Sequence, residues 1–252
     1  MNNKTLKIIG IIPARYGSTR FPGKPLVNIC GKAMIERVYN TAKKSVLLSD
    51  VIVATDDQRI ADYCEKYDIK YQMTSSTHET GTDRIWEVVQ NLDCDIVVNI
   101  QGDEPMLKPY MIDTMLRDMI DLDCSISTIA LMLRKKYEFM KNPNMVKVLT
   151  NNDGFATGFY RQISVFYQNN QMNYPKKHIG IYAYTKEVLK EFVYMPQTVN
   201  EVENELEQLR FMDNSYDIHV SIFDEYIISV DVPDDVEKII KLFLTGDIQW
   251  HN

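Results

Sequence analysis

The sequence predicts an α/β fold built on a doubly wound, mostly parallel sheet. Three short apolar segments, at residues 8–12, 51–54 and 95–100, are each followed by a polar loop. Continuous apolar runs of this length are typical of strands buried on both faces of a parallel sheet. Segments with helically spaced apolar residues separate them, so the chain alternates strand and helix as β-α-β units do.

Spacing and end signals predict the helices of this first part. Residues 33–45 have the pattern of a helix. Residues 55–57 can cap a second helix, which carries Ile60 and Cys64. A third helix begins at residue 81 or 82. Ligands of such sheets bind beyond the carboxyl ends of the strands, which directs attention to residues 14–25, 55–57 and 101–105.

The pattern changes after residue 125. Between 125 and 184 the apolar runs are strand-like, and Asn152-Asp153-Gly154 indicates a hairpin turn. We therefore predict one domain over residues 1–252 with a small antiparallel subdomain at about 125–184. A helix over 202–213, strands over 217–222 and 227–230, and a helix from Pro233 complete the prediction.

Composition excludes several classes of protein. The 252 residues carry 28 Lys and Arg against 35 Asp and Glu, a formal charge of −7. This acidic balance argues against a general nucleic-acid binder, which has a basic surplus. The sequence has no apolar run near the roughly 18 residues of a membrane span and no signal-peptide cleavage pattern. Four widely spaced cysteines favour free thiols in a cytoplasmic protein.

The loop after the first strand, residues 13–25, contains three cations and no acid. Arg15, Arg20 and Lys24 stand on a scaffold of Gly and Pro. Backbone N–H groups with Arg and Lys are what a triphosphate requires. The loop is neither a Walker loop nor a Rossmann glycine motif. The alternative interpretation is a basic surface loop.

Two aspartates follow predicted strands. Asp103 lies in Gln101-Gly102-Asp103, and Asp231 follows the apolar segment 227–230. Two carboxylates that converge on Mg²⁺ suit phosphoryl transfer, since Mg²⁺ is held by one or two carboxylates plus phosphates. Helix capping is the alternative role for each.

These segments resemble the 3-deoxy-manno-octulosonate (Kdo) cytidylyltransferases, the CMP-Kdo synthetases. The resemblance extends from about residue 8 to residue 240. The motifs that carry it are IIPARYGSTRFPGKPL, VATDD, ETGTDR, NIQGDEP, NPNMVKV, HIGIYAY, LEQLR and VDVPDD. It implies a Rossmann-like, mostly parallel sheet with an antiparallel dimerisation insert, as in nucleotide-diphospho-sugar transferases. It also implies a homodimer that makes CMP-Kdo and pyrophosphate for lipopolysaccharide or capsule.

The resemblance assigns the nucleotide half of the site. Arg15, Lys24 and Asp103 would be catalytic, and Asp103 and Asp231 would hold Mg²⁺. The residues that would surround CTP are Pro13, Ala14, Arg15, Ser18, Arg20, Lys24, Thr82, Asp83, Arg84, Gly102 and Asp103.

The resemblance also assigns the acceptor half, where this chain departs from the family. The residues that would surround the sugar acid are Gln101, Arg161, His178, Tyr182, Glu207 and Gln208. An arginine suits the acid's carboxylate, because its fork binds two oxygens; a surface strand arginine is the alternative. Tyr160 stands where the family has Ser, and an Ile-Pro pair is absent. A different acceptor (8-amino-Kdo, a nonulosonate or a phosphonate) therefore stays open, as does a non-catalytic nucleotide-binding regulator.

Overall fold

The computed structural model describes residues 6–17, 21–132, 142–163 and 174–248. The chain divides into two compact units. The first unit comprises Met1–Asp113 and Ile227–Asn252, and the second comprises Thr114–Tyr226. The second unit thus contains the predicted subdomain and continues beyond it. Within the described ranges, no helix is long and apolar enough to cross a membrane.

The elements follow one another in an order that starts with the predicted β-α-β pattern. Up to residue 121 they are β1 Ile8–Ala14, a 3-10 helix Lys24–Leu26, β2 Asn28–Ile29, β3 Lys32–Ala33, α1 Met34–Ala42, β4 Asp50–Thr55, α2 Gln58–Lys66, β5 Tyr71–Met73, α3 Gly81–Val89, β6 Ile96–Asn99 and α4 Pro109–Asp121. After it they are β7 Ile126–Leu131, β8 Lys147–Thr150, β9 Ala156–Tyr160, β10 Lys176–Thr185, α5 Lys186–Tyr194, α6 Val199–Asn204, α7 Leu209–Asp213, β11 His219–Phe223 and α8 Pro233–Leu244.

The first unit has a parallel sheet of strand order β6-β1-β4-β5. Ile11, Val53 and Val97 are fully buried, as the continuous apolar runs predict. Ala14 pairs with Thr55 at the end of β4, and Ile11 of β1 pairs with Asn99 at the end of β6. Because these strands run in parallel, the residues that follow them emerge at one edge of the sheet, which is where ligands bind.

The second unit contains the antiparallel part. β10 pairs antiparallel with β7 and β8, β8 pairs antiparallel with β9, and β11 runs parallel to β7. The β8–β9 hairpin was predicted from Asn152-Asp153-Gly154, and Gly154 takes the positive φ of 85° that the turn requires. The prediction of a mostly parallel α/β sheet with a small antiparallel insert is confirmed.

Two predicted elements after residue 200 are wrong. The helix over 202–213 is split into α6 and α7, and Glu205 between them adopts φ 52°. The Arg161 side chain donates hydrogen bonds to the carbonyls of Asn204 and Glu205. A continuous helix would have used these carbonyls for its own hydrogen bonds. The strand over 227–230 does not form either. There the Val230 N–H donates to the Asp103 carbonyl instead of joining a ladder.

Candidate functional site

The end of β1 lies against two glycine-bearing segments of the first unit. A Cβ placed on Gly102 would lie 3.3 Å from the Pro13 carbonyl oxygen. A Cβ on Gly81 would lie 3.4 Å from the Pro13 side chain. Gly102 therefore allows a close approach of backbone to backbone, whereas Gly81 is in ordinary van der Waals range of the Pro13 ring. The structure thus brings together Pro13, Gly102 and the start of α3, which the sequence assigned to the nucleotide.

Lys24 joins the two predicted metal-binding segments. Its ammonium donates to Asp103 Oδ2 at 2.7 Å and to the Val230 carbonyl at 3.0 Å. The Val230 N–H in turn donates to the Asp103 carbonyl at 2.9 Å, so Asp231 follows directly from a residue bonded to Asp103. One lysine and two carboxylate-bearing segments thus share this edge of the first unit.

The donor set at this edge fits a magnesium ion. Asp103 and Asp231 are both partly exposed, and carboxylate oxygens are the protein ligands that Mg²⁺ prefers. Neither residue acts as a helix N-cap. The helix after Asp103 begins only at Pro109. Before α8, the Asp235 carboxylate accepts the N–H groups of residues 231 and 232, so Asp231 is not needed for capping.

Tyr16 and Arg59 form a cation–π stack, here called the aromatic clamp, which holds the cationic loop of residues 13–25. The sequence did not predict this contact. The Arg59 guanidinium lies 3.3 Å from the centre of the Tyr16 ring. Arg59 also donates to both oxygens of Asp57, the N-cap of α2, and this hydrogen bonding lowers the pKa of the Asp57 carboxyl. On the loop side, Gly23 at φ 73° lies so close to the ring that a Cβ would be 3.0 Å from it. Gly23 immediately precedes Lys24, so the clamp fixes the backbone position from which the Lys24 side chain extends.

The side chains of residues 82–84 pack or form hydrogen bonds within the first unit. Thr82 and Arg84 are buried, and Arg84 donates to Asp56 Oδ2 at 2.9 Å. Asp83 forms a capping box with Thr80 at the start of α3. These contacts fix the amino end of α3 beside Pro13. Arg15 is exposed and Ala14 is buried at the end of β1. The predicted Ser18 and Arg20 lie outside the described residues.

In the second unit, His178 and Tyr182 form the centre of an aromatic cluster on β10. Their ring centroids are 5.3 Å apart, and Phe159 of β9 meets His178 edge-on at 5.0 Å. The Thr128 hydroxyl donates to the Ile181 carbonyl at 2.6 Å and lies 3.2 Å from His178 Nε2. The imidazole Nε2 therefore carries the proton. Burial lowers the pKa of His178 to about 3, so the ring is a neutral hydrogen-bond donor.

The side-chain amide nitrogen of Gln208, Nε2, is buried and has no hydrogen-bond partner among the residues that the structure describes. The Tyr182 hydroxyl is also buried, and it hydrogen-bonds to the Thr128 side chain. Burial, followed by the nearby Glu207 carboxylate, raises the pKa of the Tyr182 phenol. A buried polar atom left unpaired costs about 1–3 kcal/mol, which a hydroxyl-rich ligand would recover.

The other two predicted acceptor residues have different surroundings. Gln101 lies in the first unit, where its amide donates to Asn99 Oδ1 at 3.1 Å. Arg161, in the second unit, donates to the carbonyls of Asn204 at 2.7 Å and Glu205 at 2.8 Å. Its guanidinium therefore ties backbone segments together, a role that sequence alone did not indicate.

Comparison with known proteins decides the family. A family model described as cytidylyltransferase matches residues 9–218. The chain belongs to the cytidylyltransferase family. This cytidylyltransferase is 41% identical over 250 residues to the 3-deoxy-manno-octulosonate cytidylyltransferase of Geotalea uraniireducens, covering 94% of this chain and 98% of that relative. It is 42% identical to the protein of the same name from Parabacteroides distasonis over 244 residues, or 92% and 96% of the two chains.

Solved structures agree with this assignment. A CMP:2-keto-3-deoxy-manno-octonic acid synthetase complexed with CTP superposes with a TM-score of 0.88 at 36% identity, covering 95% of this chain and 99% of that one. A 4-diphosphocytidyl-2C-methyl-D-erythritol synthase from Anaerococcus prevotii shares the fold, with a TM-score of 0.64 at 15% identity over 96% and 100% of the two chains. The resemblance inferred from the motifs is confirmed.

Proposed function

We propose that this cytidylyltransferase transfers CMP from CTP to the anomeric hydroxyl of Kdo and releases pyrophosphate. The observation that carries the proposal is the match over 95% of the chain to a synthetase complexed with CTP. The relatives named 3-deoxy-manno-octulosonate cytidylyltransferase, at about 40% identity over nearly the whole chain, support the same acceptor.

The nucleotide half supplies positive charge at the triphosphate. Lys24 and Arg15 would grip the phosphate oxygens and offset the negative charge that develops on the leaving pyrophosphate. Asp103 and Asp231 would hold Mg²⁺, which neutralises phosphate charge when bound. Lys24→Ala should lower turnover by roughly 10²-fold or more, the scale for the loss of one transition-state charge contact.

The acceptor half orients the nucleophile. The anomeric oxygen attacks the α-phosphorus and a new P–O bond forms. The bond to the pyrophosphate oxygen breaks, and the hydroxyl proton passes to solvent. No covalent intermediate on the protein is needed, so positioning and electrostatics suffice. Tyr182 and Gln208 would donate hydrogen bonds to the acceptor. Glu207 and the unprotonated Nδ1 of His178 would accept hydrogen bonds from sugar hydroxyls.

The departure at Tyr160 does not favour another acceptor. Successive side chains of a strand point to opposite faces of the sheet. Phe159 contacts His178, so the neighbouring Tyr160 faces away from the His178–Tyr182 cluster. A Cβ on Gly158 would collide with the Tyr160 ring, which indicates that this ring covers Gly158 on its own face.

The expected setting follows from the family. We propose a cytoplasmic homodimer that supplies CMP-Kdo for lipopolysaccharide or capsule. Size-exclusion chromatography with light scattering tests the dimer, for which a mass near 29 kDa would indicate a monomer instead.

A pyrophosphate-release assay tests the function. CTP and Mg²⁺ are supplied with Kdo, 8-amino-Kdo, a sialic acid or a simple phosphonate, and ATP, GTP and UTP replace CTP as controls. Release with CTP and Kdo supports the proposal. Release only with another acid would retain the reaction and refute the acceptor. Absence of release in protein that binds CTP would favour the nucleotide-binding regulator.

A further inference from the structure

A lysine in the second unit is completely buried. Lys147, the first residue of β8, has no exposed surface, and its ammonium donates to the carbonyls of Asn142 at 2.5 Å and Arg161 at 2.7 Å. Burial lowers its pKa to about 8. Taking an ammonium out of water is costly, and an apolar side chain of similar volume is often as stable or more so. The lysine therefore needs an explanation other than core packing.

The contacts of Lys147 continue through Arg161. Lys147 fixes the Arg161 main chain, and the Arg161 guanidinium holds the carbonyls of Asn204 and Glu205. It also lies 3.4 Å from the Pro143 carbonyl. One buried ammonium and one guanidinium thus connect the β8–β9 hairpin to the segment between α6 and α7.

That segment carries acceptor-binding residues. Glu205 is held in the left-handed conformation at φ 52°, and the buried Leu206 comes next. Residues 207 and 208 follow at once, and Gln208 presents the unpartnered amide described above. The direction of the chain at Glu205 therefore decides where these two side chains point.

We propose that Lys147 is a positioning residue for the acceptor: through the Arg161 main chain it fixes the segment that presents Glu207 and Gln208. The inference rests on the proposed function for the identity of the acceptor. Lys147 itself contacts backbone carbonyls and touches no reacting atom.

Lys147→Met, with Lys176→Met as its control, tests the proposal. Lys176 pairs with Val148 from the neighbouring strand, its pKa is also lowered by burial, and its ammonium donates to the Thr150 hydroxyl. The two variants therefore remove similar charges from adjacent strands, but only Lys147 holds Arg161. We measure pyrophosphate release with Kdo varied at saturating CTP, and with CTP varied at saturating Kdo.

Lys147→Met should raise KM for Kdo by about tenfold or more and leave KM for CTP within about twofold, because it loses acceptor orientation only. Lys176→Met should leave both within about twofold. Equal changes in the two KM values, or no change, would overturn the proposal.

A second measurement needs no substrate. The amides of Leu206, Leu209 and Arg210 donate to carbonyls within residues 201–207, so their hydrogen exchange reports the order of this segment. Exchange there should be faster in Lys147→Met and in Arg161→Gln than in the wild type. Unchanged exchange in both variants would refute the positioning role. If Lys147→Met does not fold, the exchange measurement on Arg161→Gln alone tests the proposal.

The two proposals fail in different ways. If the wild type releases no pyrophosphate from CTP with Kdo, the proposed function fails, and the exchange experiment still decides whether Lys147 orders residues 204–208. If the wild type is active with Kdo but the variant has an unaltered KM for Kdo, only the role of Lys147 is refuted.

Discussion

Acidification should destabilise this protein through His178. Its imidazole has a pKa of about 3 in the folded protein, because it is buried, against an ordinary value of 6.5. Below pH 6.5 the unfolded chain therefore binds a proton that the folded chain does not, and stability falls as the pH falls. From pH 8 to pH 5 the unfolded histidine becomes almost fully protonated. The linkage relation gives a loss of about 2 kcal/mol of unfolding free energy over this interval.

Urea unfolding of the wild type and of His178→Gln, at pH 8 and pH 5, measures this loss. Glutamine keeps a neutral donor for Thr128 but does not titrate. Burial also lowers the pKa of His219, but His219 is present in both proteins and cancels in the difference. The wild type should lose about 2 kcal/mol more than the variant between the two pH values. An identical loss in both proteins would show that His178 is protonated in the folded state at pH 5. Its assignment as a neutral donor would then be wrong.

Three further predictions concern the nucleotide half and the core. Asp103→Asn should lower turnover by about 10²-fold or more, and EDTA should abolish wild-type pyrophosphate release until Mg²⁺ is restored. Arg59→Ala should raise KM for CTP by about threefold through loss of the stack on Tyr16. Tyr16→Phe keeps the ring and should behave as the wild type; equal effects of the two changes would refute the clamp. Glu201→Gln should remove about 3–5 kcal/mol of unfolding free energy in urea, because it breaks a buried ion pair with Arg210.

The parallel part of the fold was predictable because its signals are local. The apolar runs of β1, β4 and β6 can only be satisfied by burial on both faces, and parallel strands bring their carboxyl ends to one edge. The cationic loop and Asp103 were therefore expected at that edge, and the contact between Lys24 and Asp103 agrees with this. These residues were found because each lies in a polar segment that begins where a strand ends.

What the sequence did not predict depends on contacts between distant positions. The apolar spacing of 202–213 favours a continuous helix. Arg161, some forty positions earlier, donates hydrogen bonds to the two carbonyls that such a helix would need for its own hydrogen bonds. The stack of Arg59 on Tyr16 likewise joins two loops that no periodicity relates. Arg161 had the chemistry of a carboxylate-binding residue, and sequence could not show that its donors are directed at backbone.

The bond between Val230 and Asp103 has a consequence for protein synthesis. Val230 lies 206 positions after Lys24, yet its carbonyl accepts from that ammonium and its N–H reaches the other strand end. The ribosome therefore synthesises the cationic loop and Asp103 long before it synthesises the segment around Val230 that contacts them. We expect nascent or truncated chains that stop near residue 226 to be unable to consume CTP. Catalytic competence would then arise only once nearly all of the polypeptide has been made.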